Sequence, residues 1–240
     1  MSISQAVQSR IDTLPPGQVF GYRDLPDYAV APLAVAQTMS RMVSSGRVKR
    51  LSKGKFYVPR KGILGSRKPS DSALVRSILY DGERLRGYVT GLALFNRLGL
   101  TTQVPRTVTV AIEGGRGKKD FGTIRIKTVP SRFPVREADI PLFECLDVLR
   151  DIKTIPDTDF NQVLLTMKDR VFSLSEAERR RLVELASEYD TPQVRALLGL
   201  ILDSDGQEVA TLKSTLNPTT VYKLPIDNDA WPLAKDWNIR

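Results

Sequence analysis

Prolines and glycines divide the first sixty residues into pieces too short for anything but small, rapidly alternating elements. Pro15-Pro16-Gly17 closes one segment, Pro32 opens another, Gly46 closes that one, and Ser52-Lys53-Gly54 turns the chain back on itself. Proline is preset for the first turn of a helix, and glycine tolerates the left-handed residue that follows a last turn. Ser2 with Gln5 makes a capping box, and Ile3, Val7, Ile11 and Leu14 lie on one stripe, which predicts a first helix ending at Pro15. Gly17 to Tyr22 leaves room for a short strand, and Arg23 to Tyr28 for a turn around Leu25.

A second helix is predicted from near Pro32 to Gly46. Val35, Met39, Met42 and Val43 form its apolar stripe, which turns Ala34, Gln37, Thr38, Arg41 and Ser45 outward. Val48 to Leu51 and Lys55 to Val58 then make a hairpin around the glycine turn, carrying Arg47, Lys49, Arg50, Lys53 and Lys55. Helix, short segment, helix with a small polar outward face, and basic hairpin is the order of a winged helix-turn-helix. In such a module the second firm helix enters the major groove. Gln37, Thr38, Arg41 and Ser45 are therefore the expected residues at the base edges, and Arg47, Lys49, Arg50, Lys53 and Lys55 the expected holders of phosphate.

Charge agrees independently. The first 90 residues hold 15 Lys and Arg against six Asp and Glu, a surplus of +9, whereas the other 150 hold 21 of each sign. A localised positive field of this kind attracts a polyanion. Pro59 to Pro69 breaks both periodicities. The expected division is therefore a winged helix over 1–60, a basic linker over 61–69 and a mixed α/β domain over 70–240, giving an α+β chain. In the last of these, Ser70 to Tyr80, Gly91 to Leu98, Leu142 to Arg150, Phe160 to Asp169, a helix capped by Ser175 and Glu178, and Pro192 to Asp203 read as helices. Thr107 to Ile112 and Thr123 to Val129 alternate as strands joined by the loop EGGRGKKDFG, and LNPTTVYKLPI can supply a last strand.

Other chemistry is narrowed by what the chain lacks. It has no histidine, which removes imidazole bases, Ser-His and Cys-His couples and most catalytic zinc sites. The single Cys145 lies among apolar neighbours and reads as a buried small hydrophobe. EGGRGKKD is not a P-loop, because Ile112 stands where the first glycine belongs and Lys119 where Ser or Thr belongs. Asp203-Ser204-Asp205-Gly206 lacks the distal glutamate of a calcium loop, Ser214 standing there. No cofactor and no metal ligand set is expected. Arg179, Arg180 and Arg181 among Glu176, Glu178 and Glu184 predict an ion-paired helix face. No apolar run of about 18 residues is present, and MSISQAVQSRID lacks a signal-peptide core, so a cytoplasmic protein without membrane contact is expected.

GYVTGLALFNRLGLTTQVPRTVTVAI, together with the predicted winged helix ahead of it, resembles the AbiEi-type antitoxins of bacterial abortive-infection toxin–antitoxin systems. TPQVRALLGLILD and TLNPTTVYKL, with Thr215 in place of a serine, resemble the C-terminal blocks of a related antitoxin-like group. The resemblance implies a non-enzymatic protein that opposes a nucleotidyltransferase-like toxin and uses its winged helix on double-stranded operator DNA to repress the shared operon. Direct contact with the toxin is not implied. Two other readings stay open: a ligand-responsive winged-helix transcription factor, and a magnesium-dependent nucleic-acid enzyme using Asp157 and Asp159.

Overall fold

The structure is a computed structural model that describes residues 2–62, 65–132, 134–188, 191–206 and 209–240. Ile63 and Leu64 of the expected linker, and Tyr189 near the end of an expected helix, lie outside the described residues. The fold is α+β, in two compact units: residues 1–88 with Val110–Arg136, and Val89–Thr109 with Glu137–Arg240.

The first unit opens with α1 (Ile3–Asp12), whose capping box between Ser2 and Gln5 is formed in both directions. After β1 (Val19–Gly21) and a single 3-10 turn come α2 (Pro32–Ser44), β2 (Lys49–Ser52) and β3 (Lys55–Tyr57). The three strands form an antiparallel sheet ordered β1-β3-β2. Gly46 and Gly54 take positive φ of 74° and 71°, where side-chain-bearing residues are strained, and so end α2 and turn the hairpin. Val7, Ile11, Val35, Met39, Met42, Phe20, Val48 and Phe56 fill the core between helices and sheet. Phe20 and Phe56 meet at 6.0 Å, and the Tyr22 ring stands edge-on to Phe56 at 5.2 Å.

The chain does not divide at 61–69. Arg60–Gly62 (β4) pairs antiparallel with Gly65–Arg67 (β5), so the glycines that read as linker punctuation close a hairpin. The same unit continues through α3 (Asp71–Leu79), capped by Ser70, and the two-residue strands β6 (Tyr80–Asp81) and β7 (Arg84–Leu85). A four-stranded sheet follows. Its strands are β8 (Gly87–Thr90), β9 (Thr107–Ile112), β10 (Gly117–Asp120) and β11 (Arg125–Pro130), in the order β10-β11-β9-β8. The segment expected as a loop between two strands thus contains an edge strand of its own, β10. Gly87 is required by close approach, since a Cβ there would lie 2.4 Å from the Ala111 carbonyl oxygen.

Apart from the end of β8 and the start of β9, the second unit is mainly helical. It comprises α4 (Leu92–Arg97), α5 (Ile140–Asp151), α6 (Phe160–Ser173), α7 (Glu176–Glu188), α8 (Pro192–Asp203) and α9 (Ala210–Ser214). Residues Leu142 to Leu149 of α5 and Ala196 to Leu202 of α8 are buried in unbroken runs, as expected of helices surrounded on every side. Trp237 lies against Gly199, where a Cβ would come within 2.1 Å of the indole, and its Nε1–H donates to Asp203 at 2.9 Å. The tail contributes no full strand; Tyr222 makes an isolated parallel bridge with Ile239.

Candidate nucleic-acid interface

The outward face of α2 follows from which of its residues the core takes. Val35, Thr38, Met39 and Met42 point inward. Leu33, Gln37, Ser40, Arg41 and Ser44 point to solvent, as successive steps of three and four residues require. Gln37 and Arg41 therefore lie where the sequence places them. Thr38 does not: it is only 4% exposed, and its hydroxyl donates to the Ala34 carbonyl at 2.9 Å. That bond satisfies the hydroxyl within the helix and leaves the methyl group to join the core, so Thr38 faces no partner. Ser45 is exposed, but its hydroxyl donates to the Met42 carbonyl at 3.1 Å and helps to end the helix.

Leu33 in the first turn of α2 and Val30 just before the helix are 80% and 87% exposed. Leu33 lies one and two helical turns before Gln37 and Arg41, which is the signal that places it on their face. Together they present an apolar tip, an amide and a guanidinium in a row.

The hairpin splits its basic residues between two faces. Arg50 lies opposite Phe56, with its guanidinium 5.7 Å from that ring, while Lys49 lies opposite Tyr57 on the other face. Lys53 is exposed at the turn. Arg47 precedes β2 and pairs with Asp12 at 2.6 Å, a partly solvated bridge worth roughly 0–1 kcal/mol that a phosphate can displace. Lys55 is half-buried, with its side chain packed beside Gly21. Lys119 is exposed as a residue, yet partial desolvation of its ammonium, with the positive charges of Lys55 and Arg86 beside it, lowers its pKa from the ordinary value. Lys55 of the β2–β3 hairpin thus lies near enough to Lys119 for their charges to repel.

Every residue of β10 is exposed, and Lys118 stands directly opposite Lys127 of β11. Like charges facing each other across strands repel, a cost that a bound polyanion relieves. Arg116, Lys118, Lys119 and Lys127 add positive charge beyond the first 69 residues, whereas Arg125 pairs with Asp120 at 3.0 Å. The basic run Lys118-Lys119 is visible in the sequence, but its pairing with Arg125–Lys127 is not. Counted by unit, the first holds 22 basic and eight acidic residues, a surplus of +14, and the second 14 and 19, a deficit of −5.

In the second unit the buried acids are paired. Glu144 accepts from Arg97 at 2.5 Å and pairs with Arg170 at 3.4 Å, and Asp147 accepts from Thr90 at 2.5 Å and pairs with Arg150 at 2.9 Å. Burial pushes the Cys145 thiol up to about 11, which suits a packed side chain. Asp159 caps α6 through the Gln162 N–H at 3.0 Å, and Asp157 accepts from Gln103 at 2.7 Å. Among the described residues no group of three or more His, Cys, Asp or Glu is placed to hold a metal ion. Among the same residues, no helix is long and apolar enough to cross a membrane. Arg180 and Arg181 pair along α7 with Glu176 and Glu184, but Arg179 turns away to donate to the Leu174 and Phe172 carbonyls behind α6.

A model of the family of unknown function DUF6088 matches residues 6–138, more than half of the chain. The chain belongs to this family. The DUF6088 match ends two residues beyond Arg136, where the first unit ends, and so spans that unit from α1 to the β10–β11 hairpin. Among solved structures the chain is similar to the RV2827C protein from Mycobacterium tuberculosis. The two are 13% identical over 92% of this chain and 84% of that one, with a TM-score of 0.48. No curated protein matches the chain.

Proposed function

We propose that the first unit binds duplex DNA as a winged helix and that the chain acts as a repressor of its own operon and an antitoxin. The observation that carries the DNA half is a unit of net charge +14 bearing a helix whose exposed face is Leu33, Gln37, Ser40, Arg41 and Ser44. Gln and Arg present the forked donors and acceptors that suit adenine and guanine edges, and an exposed leucine suits the thymine methyl. Lys49, Arg50 and Lys53 on the wing, and Lys118 and Lys127 beyond it, hold backbone phosphates. The antitoxin half rests on the resemblance of residues 87–112 and of the C-terminal blocks to AbiEi-type proteins, with a nucleotidyltransferase-like toxin as functional partner.

The test is a titration of the full chain with labelled upstream DNA across salt concentrations, run beside growth with an inducible neighbouring toxin. With six to eight phosphates neutralised, log K against log salt slopes at roughly −5 to −7. Arg41→Ala/Arg50→Ala should derepress a promoter reporter and leave protection intact. Salt-insensitive or undetectable binding overturns the DNA half; no protection by the intact chain overturns the antitoxin half.

A further inference from the structure

A groove of about 610 Å³ in the first unit lies at the root of the wing, bounded by Pro15 and Pro16 on one side and by β4, β5 and α3 on the other. Arg60, Arg67, Lys68 and Arg76 line it, and no Asp or Glu does. Arg60 stands directly opposite Arg67 across the β4–β5 pair, an arrangement of like charges that disfavours the hairpin unless an anion sits between them. Among the described residues none of these four cations pairs with a carboxylate. The acid adjacent in sequence, Asp71, is engaged by the Thr123 hydroxyl at 2.6 Å. Arg76 reaches the groove from α3, and its guanidinium also lies 4.2 Å from the centre of the Tyr80 ring.

Two opposed guanidinium groups, a third on a helix and an ammonium supply more donors than one phosphate can use, and guanidinium forks match phosphate oxygens two at a time. The volume lies within the range of small-molecule sites, about 300–1,000 Å³. Pro15 and Pro16 offer a flat apolar wall of the kind a base or sugar can lie against. The wing turn at Gly54 and the groove at Arg60 are six residues apart along the chain, about 20 Å if extended, which separates the groove from the wing tip. We infer that this groove binds the polyphosphate chain of a free nucleotide, a nucleoside di- or triphosphate, at a site separate from the face that reads DNA.

The experiment is calorimetric titration of the full chain with inorganic tripolyphosphate, ATP and adenosine, and of variants with the first two. Tripolyphosphate and ATP should each bind one per chain, ATP more tightly, while adenosine gives no heat. Arg60→Ala/Arg67→Ala, with both side chains exposed, should weaken both ligands at least tenfold. Arg76→Ala, on a different element, should do the same should the hairpin variant fail to fold. Lys53→Ala at the wing turn should change neither. The proposal is overturned if the wild type shows no tripolyphosphate binding at millimolar concentration, or if Lys53→Ala loses as much affinity as the groove variants. It is also overturned if folded groove variants bind tripolyphosphate normally, or lose affinity only for duplex DNA, which would make the groove a backbone contact.

Discussion

The Thr38 hydroxyl donates to the Ala34 carbonyl at 2.9 Å across one turn of α2, which lets this polar residue sit on the buried face of the helix. A threonine that satisfies its own hydroxyl inside the helix presents only a methyl group to its surroundings. Met39 and Met42 flank it in the core, and the polar face rotates toward Ser40 and Ser44.

On the DNA-binding reading proposed above, Thr38→Val should leave operator affinity within twofold of wild type and change stability by no more than about 1 kcal/mol, the scale of one intramolecular hydrogen bond. Gln37→Ala and Arg41→Ala should each cost about 1–3 kcal/mol on the operator and relax specificity at one base position. Anisotropy titrations on operator and on random duplex distinguish the two classes. A Thr38→Val loss as large as that of Arg41→Ala would return Thr38 to the groove.

Leu33 makes a sharper case because its exposure leaves it nothing to stabilise. Leu33→Ala should keep thermal stability within about 0.5 kcal/mol, as surface changes do, and weaken the operator complex but not the random one. Denaturant melts and paired titrations check both halves. Equal affinity for the operator before and after the change would remove Leu33 from the interface.

Lys118→Ala/Lys127→Ala should lower affinity for all sequences alike and make the salt slope shallower by roughly 1–2, about one per lost phosphate contact. In the free protein the same change removes a facing pair of like charges and should not destabilise the fold. An unchanged slope would confine DNA contact to α2 and the wing.

Gly87→Ala forces a methyl group to within 2.4 Å of the Ala111 carbonyl and should destabilise the chain by about 1–3 kcal/mol or more, as overpacking does. Gly46→Ala, with open space around its Cβ position, should cost only the strain of its positive φ. Urea melts of the two variants give the comparison, and a Gly87 variant as stable as the Gly46 one would be inconsistent with the close approach.

Cys145 gives a pH-dependent test. Its folded pKa is raised by burial to about 11, so the fold disfavours the thiolate. Its contribution to stability is fully present below the unfolded thiol value and is lost as pH rises toward 11. At pH 8 iodoacetamide should alkylate Cys145 slowly in the native chain and rapidly in urea. Comparable rates would contradict its burial.

The elements of the first sixty residues are legible in the sequence because local chemistry fixes them. Ser2 and Gln5 cap α1 with their own side chains, Pro32 presets the first turn of α2, and Gly46 and Gly54 supply the positive φ that ends a helix and turns a hairpin. None of these needs a distant partner. The buried runs of α5 and α8 are legible for a similar reason, since continuous apolar sequence has only one favourable environment.

What the sequence leaves open is settled by partners far apart along the chain. The rotation of α2 depends on whether Thr38 or Val43 completes the inward stripe, a difference of little hydrophobic weight until the core is assembled against α1 and β3. The role of GKKD depends on RIK: β10 is an edge strand only because β11 offers it a ladder of backbone groups, and no periodicity in four exposed residues announces that. Charge shows the contrast most clearly. Composition by itself concentrates a surplus of +9 in the first 90 residues, but it is the return of Val110–Arg136 to the first unit that raises that unit to +14 and leaves the other at −5. Sequence determines how many charges there are and which short elements carry them; long-range strand pairing and close backbone approach, as at Gly87 beneath Ala111, determine which of them share a surface.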